Sequence, residues 1–264
     1  MPPSTTTFVS AFVSIYTNSN PTSHPEKTLE RRIAHFEDIA NTGIQLCLYS
    51  CPITKPLLMA FQDKYQNVKL LDFDYRDTDT YRACMRDNDT ITYPRMRDAS
   101  KDTCEYMALM HCKIEFMNHA ISVNPWNSDT FAWIDFSIGY IFKNKQVSLN
   151  QLAKIANSKF NGRYHMVIPG CWGVILDDSA VLENIHWRFC GGFFLGRIEA
   201  IQMFYYFYKT YFPIFMNKHN RALWEVNFWA WLEFVSQWRP YWYYCKTHND
   251  SMLFVPDNLF IHES

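Results

Sequence analysis

Between residues 7 and 75 the chain alternates two kinds of segment, and that alternation leaves few folds open. "TFVSAFVSIY" (7–16) is apolar and rich in β-branched residues, the pattern of a buried strand. "PEKTLERRIAHFEDIANTG" (25–43) reads as a helix, opened by Pro25 and Glu26 and closed by Gly43. "IQLCLYSC" (44–51), "ITKPLLMAFQDKY" (53–65) and "VKLLDFDY" (68–75) then repeat the order strand, helix, strand. Parallel neighbours need a long crossover, which an intervening helix supplies, so the spacing predicts an α/β fold with a mostly parallel central sheet flanked by helices.

The remainder continues in kind. Residues 76–102 are polar and rich in Arg and Asp, an ordered excursion or a loop, and "TCEYMALMHCKIEFMNHAI" (103–121) is a long helix. One of its rows runs Tyr106, Leu109, Lys113, Phe116, Ala120, which places an ammonium group among apolar side chains. Lys113 there needs a buried partner, or else its head snorkels to water. "FAWIDFSIGYIF" (131–142) is a strand with Asp135 inside it; a helix near 148–158 and a strand at 164–172 follow. "WRFCGGFFLGRIEAIQMFYYFYKTYF" (187–212) is a strand turning into a long helix, and 221–238 is a last helix whose Trp224, Trp229, Trp231 and Trp238 mostly belong to the core. With no repeat or linker, residues 7–264 form one domain after a short disordered start at 1–6.

Charge and cysteine usage exclude several classes. Net charge is −1, so there is no basic field of the kind that phosphate-backbone binding needs, and nucleic acid is not the main partner. The 8 cysteines form no CxxC pair and match no zinc-finger or zinc-ribbon spacing, and read as reduced thiols of a cytoplasmic protein. No Lys or Arg precedes the first apolar run, against a signal peptide. The aromatic run 193–216 is broken by Arg197, Glu199, Lys209 and Pro213, so no transmembrane segment is expected.

Ligands of open α/β sheets bind at the carboxyl ends of the strands, which draws attention to acids there. Asp72–Phe73–Asp74 is a literal Asp-x-Asp, but it stands ahead of a polar loop, where aspartates are ordinary turn formers. Asp135 ends an apolar strand, with Ser137 where a second carboxylate would stand, and its charge must be met by a metal, a lysine or hydrogen-bond donors. Gly191 and Gly196 have the glycine spacing of a P-loop, yet Arg197–Ile198 supply neither its Lys nor its hydroxyl. GxGxxG and GxSxG are absent, which weakens dehydrogenase and simple hydrolase readings.

Taken together, "TFVSAFVSIY", "WIDFSIGY" after a Lys-bearing helix, "CGGFFLG", "WE" and the His-x-Asp tail resemble the HtrL/YibB (WlaTC) family of bacterial surface-polysaccharide proteins and giant-virus glycosyltransferases, most of all its chlorovirus members that transfer xylose in capsid-glycan synthesis. The resemblance implies a single-domain GT-A fold and transfer of a sugar, UDP-xylose being the best donor, to a glycan hydroxyl with inversion and with Mn2+ or Mg2+ bridging the diphosphate. Residues 7–140 would bind the nucleotide sugar and 141–264 the acceptor. By the same resemblance Asp135 matches a metal-site or ribose-site aspartate and His248 the late histidine of the metal sphere, and Ser14 and Tyr16 end the first strand where the base lies in such a fold. Read from the residues themselves, Lys113 and Ser137 join Asp135 on the donor, and Gly191, Gly192 and Trp224 are expected to meet the acceptor. Glu225 is the general base, with Asp250 its alternative. Acidic residues favour a helix's first turn for dipole reasons alone, so Glu225 also has a purely structural explanation. Two other classes stay open: a non-catalytic carbohydrate-binding module, suggested by the aromatic excess, and a nucleotidyltransferase, disfavoured because no Gly-rich, Lys/Arg-bearing phosphate loop follows the first strand.

Overall fold

A computed structural model of the chain describes residues 6–15, 28–86, 90–162, 165–249 and 251–261. The first half runs β1 (Thr6–Phe12), α1 (Leu29–Ala40), β2 (Gln45–Ser50), α2 (Lys55–Lys64), β3 (Val68–Leu71), α3 (Asp79–Met85), α4 (Cys104–His111), α5 (Lys113–Val123) and β4 (Thr130–Ile134). The second half runs α6 (Lys145–Asn157), β5 (Lys159–Phe160), β6 (Val167–Gly170), β7 (Phe193–Arg197), α7 (Ile198–His219), α8 (Glu225–Val235), β8 (Tyr241–Tyr244) and β9 (Phe260–Ile261). The expected mixed α/β architecture is present: a seven-stranded, mostly parallel sheet in the order β3-β2-β1-β4-β7-β6-β8, flanked by helices.

Strands β1 to β4 are mutually parallel, with Phe8 opposite Leu46 and Val9 opposite Trp133. β7 runs antiparallel to both β4 and β6, and β6 and β8 are parallel. Alternate side chains of a strand face opposite sides of the sheet, so the sheet carries two cores. Val9, Tyr49, Phe131 and Trp133 pack on one side with residues of α5, α7 and α8; Phe8, Leu46, Leu48, Ala132 and Ile134 pack on the other with residues of α1 and α6. The tryptophans of the last helical region are core: Trp224, Trp229, Trp231 and Trp238 are all buried. No described helix is long and apolar enough to cross a membrane.

Several boundaries differ from the sequence reading. Thr6, assigned to a disordered start, is a buried residue of β1, while residues 1–5 lie outside the described residues. The first helix begins only at Leu29, where the Thr28 hydroxyl accepts from the Arg31 N–H; the expected openers Pro25 and Glu26 lie outside the described residues. Within the polar stretch 76–102, α3 forms behind the Thr78 cap, because Thr78 Oγ1 accepts from the Tyr81 N–H. The helix expected over 103–121 is two helices that break at Cys112 (φ −76°, ψ 0°), so Lys113 starts α5 instead of lying mid-helix. The strand expected over 131–142 ends at Ile134, and Asp135 begins the turn beyond it.

The packing of α4 against the last third also buries a histidine. His111 is 2% exposed; its Nε2 donates to the Leu223 carbonyl (2.9 Å), which leaves Nδ1 to accept from the Tyr208 hydroxyl. Burial pulls its pKa down from 6.5 to about 3. Between those values the unfolded chain takes up a proton that the folded chain refuses, so stability is present above about pH 6.5 and falls with acidity by about 1.4 kcal/mol per pH unit from this group. Urea unfolding midpoints followed from about pH 7.5 to about pH 4.5 should therefore drop, and His111→Gln should flatten the drop; an unchanged slope in the variant would assign the acid sensitivity to other groups.

Candidate functional site

Because β1 to β4 are parallel, their carboxyl ends open on one edge of the sheet, and a cleft lies there. It consists of two adjoining cavities of about 260 Å³ and about 340 Å³ that share Lys101, Tyr106, Lys113, Asp135, Ser137 and Tyr140 in their walls. The first is mainly apolar, lined by the chain leaving β1 (Val13, Ile15), by α4 and α5, and by Phe136. The second extends past Gly191, Gly192, Trp224 and Glu225 to Trp187 and His248.

Lys113 forms the floor. Its side chain is almost wholly enclosed, and Nζ donates to Gly191 O (2.9 Å) and Glu225 Oε1 (2.8 Å) and lies 2.9 Å from Asp135 Oδ1. An ammonium has three N–H groups, so all three are used and the head is fixed. Burial pulls the Lys113 pKa down, but the Asp135 and Glu225 carboxylates outweigh it and hold the group above its ordinary value. The snorkelling alternative is thereby excluded, since the head points into the protein.

Asp135 is placed by its neighbours on both sides. Its N–H donates to Gly192 O (3.0 Å), and its carbonyl accepts from the Ile138 N–H (2.9 Å). Trp133, two residues back and hence on the same face, donates Nε1–H to Asp135 Oδ1 (2.7 Å). Oδ1 is thus committed to Trp133 and Lys113, while the side chain keeps 40% exposure toward the cleft. Glu225, the first residue of α8, is 5% exposed. Gly191 is a steric requirement of this pair: a Cβ there would stand 2.3 Å from Glu225 Oε1. Gly192 is less constrained, since a Cβ would make ordinary contact with Asp135 Oδ2 at 3.6 Å.

The other residues singled out from sequence fall variously. Ser137 lines both cavities. Ser14 does not line the cleft: its N–H faces Cys51 Sγ (3.3 Å), and its neighbours Val13 and Ile15 line the apolar cavity instead. Trp224 lines the second cavity with Nε1 buried and without a hydrogen-bond partner among the described residues. His248 stacks on Trp187 (ring centroids 4.7 Å apart, planes at 10°), and burial lowers its pKa below the ordinary imidazole value. Tyr16 and Asp250 lie outside the described residues. Asp72, paired with Lys55, and Asp74, which caps a 3-10 turn through Arg76 N–H, are turn residues away from the cleft.

Asp135 and His248 both line the second cavity, one offering a hard oxygen and the other an imidazole; the two could hold a divalent cation only in part, since they supply a fraction of an octahedral ligand set. No cluster of three His, Asp or Glu groups close enough to hold a metal occurs among the described residues.

Sequence reasoning missed Lys101, Tyr106, Trp187 and Trp133. Lys101 Nζ lies 4.8 Å from the centre of the Tyr106 ring, and burial pushes the Tyr106 phenol up to about 12. Trp133 was findable, because a tryptophan two residues before a strand-end aspartate shares its face; Lys101 sits in a stretch with no periodicity to mark it.

A family model described as "Bacterial protein of unknown function (HtrL_YibB)" matches residues 44–221. No curated protein sequence matches the chain. Among solved structures, the chain is similar to apo mouse xyloside xylosyltransferase 1 (9% identity, TM-score 0.45, covering 86% of this chain and 81% of that one). It is also similar to 4-diphosphocytidyl-2C-methyl-D-erythritol synthase from Anaerococcus prevotii (10% identity, TM-score 0.41, covering 92% and 91%).

Lys113→Met should leave Glu225 charged, buried and unpaired, and lower stability by about 3–5 kcal/mol in urea unfolding. Adding Glu225→Gln to that variant should restore part of the loss, because the orphaned charge goes too. Simple additivity of the two losses would contradict the pairing.

Proposed function

The chain belongs to the HtrL_YibB family, bacterial proteins of unknown function, and from that premise we propose that it is a glycosyltransferase acting on a nucleotide diphosphate sugar in the cleft above Lys113. The observation that carries this reading is the Lys113, Asp135 and Glu225 constellation, set between an apolar cavity and a second cavity with an aromatic wall. A base and ribose suit the first cavity, where apolar walls meet Lys101 and Arg32. The second, with Trp187, Trp224 and the glycine pair, suits a sugar acceptor. In this reading residues 7–140 contribute most of the donor side and 141–264 most of the acceptor side.

The charges of the cleft suit a diphosphate, with a cation as part of the same proposal. Lys113 is neutralised by Asp135 and Glu225, which leaves Lys101 and Arg32 as the cationic groups of the cleft that would face a diphosphate, and a bound cation would add to them. Asp135 and His248 would hold Mn2+ or Mg2+ there, and such an ion neutralises charge on a leaving diphosphate. Lys113 fixes the direction of Asp135 and supplies positive charge behind it. Glu225 is assigned the role of general base: with Oε1 tied to Lys113, Oε2 would take the proton of the acceptor hydroxyl as its oxygen attacks the anomeric carbon. Xylose as the sugar, inversion at the anomeric carbon, and a glycan acceptor in viral capsid or surface-glycan synthesis rest on the family resemblance.

The test is turnover: the protein, Mn2+ and a panel of nucleotide sugars with glycan acceptors, read as nucleotide diphosphate release. One donor, UDP-xylose foremost, should support release above background. Glu225→Gln should cut turnover by about 10²–10⁴-fold while leaving donor binding near normal. Glycan binding that ignores nucleotide and metal, without release from any donor, would replace this reading with that of a carbohydrate-binding module.

A further inference from the structure

Three cysteines far apart in sequence meet at one end of three neighbouring strands. Cys171 directly follows β6, Cys245 directly follows the parallel β8, and Cys190 stands just before β7, which runs the other way beside β6. Their Sγ atoms form a near-equilateral triangle: 3.8 Å for Cys171 to Cys190, 3.8 Å for Cys171 to Cys245, and 3.7 Å for Cys190 to Cys245. A tetrahedral zinc site with Zn–S bonds of about 2.3 Å requires sulfur atoms about 3.8 Å apart, so the triangle already has the dimensions of one face of that tetrahedron.

The backbone holds this geometry. The Cys171 N–H donates to Trp187 O, the Cys190 N–H to Pro169 O and the Cys245 N–H to Gly170 O, each at 2.8 Å. All three are free thiols, and among the described residues they are the one group of three metal-binding side chains close enough to share an ion. A disulfide between any two would strand the third; a metal ion uses all three. Cys171 is partly exposed and gives an ion its way in, whereas Cys190 and Cys245 are buried.

We propose that Cys171, Cys190 and Cys245 form a thiolate site for Zn2+, with the fourth position taken by water or a solute. On binding, each thiol loses its proton to solvent and the sulfur lone pair forms the bond to the metal, without change of oxidation state. Thiolates are soft ligands, so this site selects against Mn2+ and Mg2+ and is independent of any cation on Asp135. Its effect is to tie together the chain ends that present Gly191, Gly192 and His248 to the cleft.

The test uses the full chain, purified with a thiol reductant, stripped with a chelator and desalted. Added Co2+ should give a thiolate-to-cobalt charge-transfer band and the visible bands of tetrahedral Co2+, saturating at one ion per chain and bleached by Zn2+. Cys171→Ser, at the most exposed of the three, should weaken Co2+ binding by at least tenfold, while Cys104→Ser should leave it unchanged. X-ray absorption of the wild-type zinc protein covers the case in which a variant misfolds, and should show three sulfur neighbours at about 2.3 Å. A folded, reduced protein without thiolate bands, a zinc shell of nitrogen and oxygen alone, or a Cys190–Cys245 disulfide in the freshly isolated chain would overturn the proposal.

Discussion

The ammonium of Lys113 is a charge sealed inside the protein, and much of the surrounding structure is arranged by the need to satisfy it. An isolated ammonium removed from water costs several kcal/mol even after relaxation, roughly, so its three protons must each find an acceptor. They find Gly191 O, Glu225 Oε1 and Asp135 Oδ1, contributed by the chain entering β7, the start of α8 and the end of β4. A buried pair of this kind adds little net stability compared with an apolar replacement; its effect here is to fix the relative positions of three chain segments.

The cleft follows from that fixation. Asp135 is held from behind by Trp133 and Lys113 and from the side by the hydrogen bond of its N–H to Gly192 O, so it presents only Oδ2 outward. The glycine pair allows this approach: at Gly191 any side chain would collide with Glu225, and the turn then feeds straight into β7 against β4. The thiol triangle lies along the same edge, with Cys190 directly before Gly191, so the wall of the second cavity is held from the strand ends as well as from Lys113.

Period and punctuation carried the alternating strands and helices of the first half, because both faces of a parallel sheet must be apolar and the helices between them amphipathic. Asp135 and Lys113 were legible as anomalies, charges at positions where apolar residues were expected. That Glu225 joins them was not, since Lys113 and Glu225 are 112 residues apart and nothing local links them. The same holds for Cys171, Cys190 and Cys245: spacing rules detect metal sites built from one hairpin, and these three are gathered by strand order. The break at Cys112 and the short α3 escaped because neither Gly nor Pro marks them, and the capping hydroxyl of Thr78 is one polar residue among many. The literal Asp-x-Asp at Asp72 and Asp74 shows the reverse: a recognisable pattern that local turn chemistry accounts for.

The central claim is that the Asp135 and Lys113 floor receives a nucleotide diphosphate. Calorimetric titration of UDP into the wild-type protein and into Asp135→Asn, with and without Mn2+, tests it most directly. The account predicts UDP binding that Mn2+ tightens in the wild type and a loss of that tightening in Asp135→Asn. Absence of UDP binding by the wild type, or the same metal response in both proteins, would contradict it.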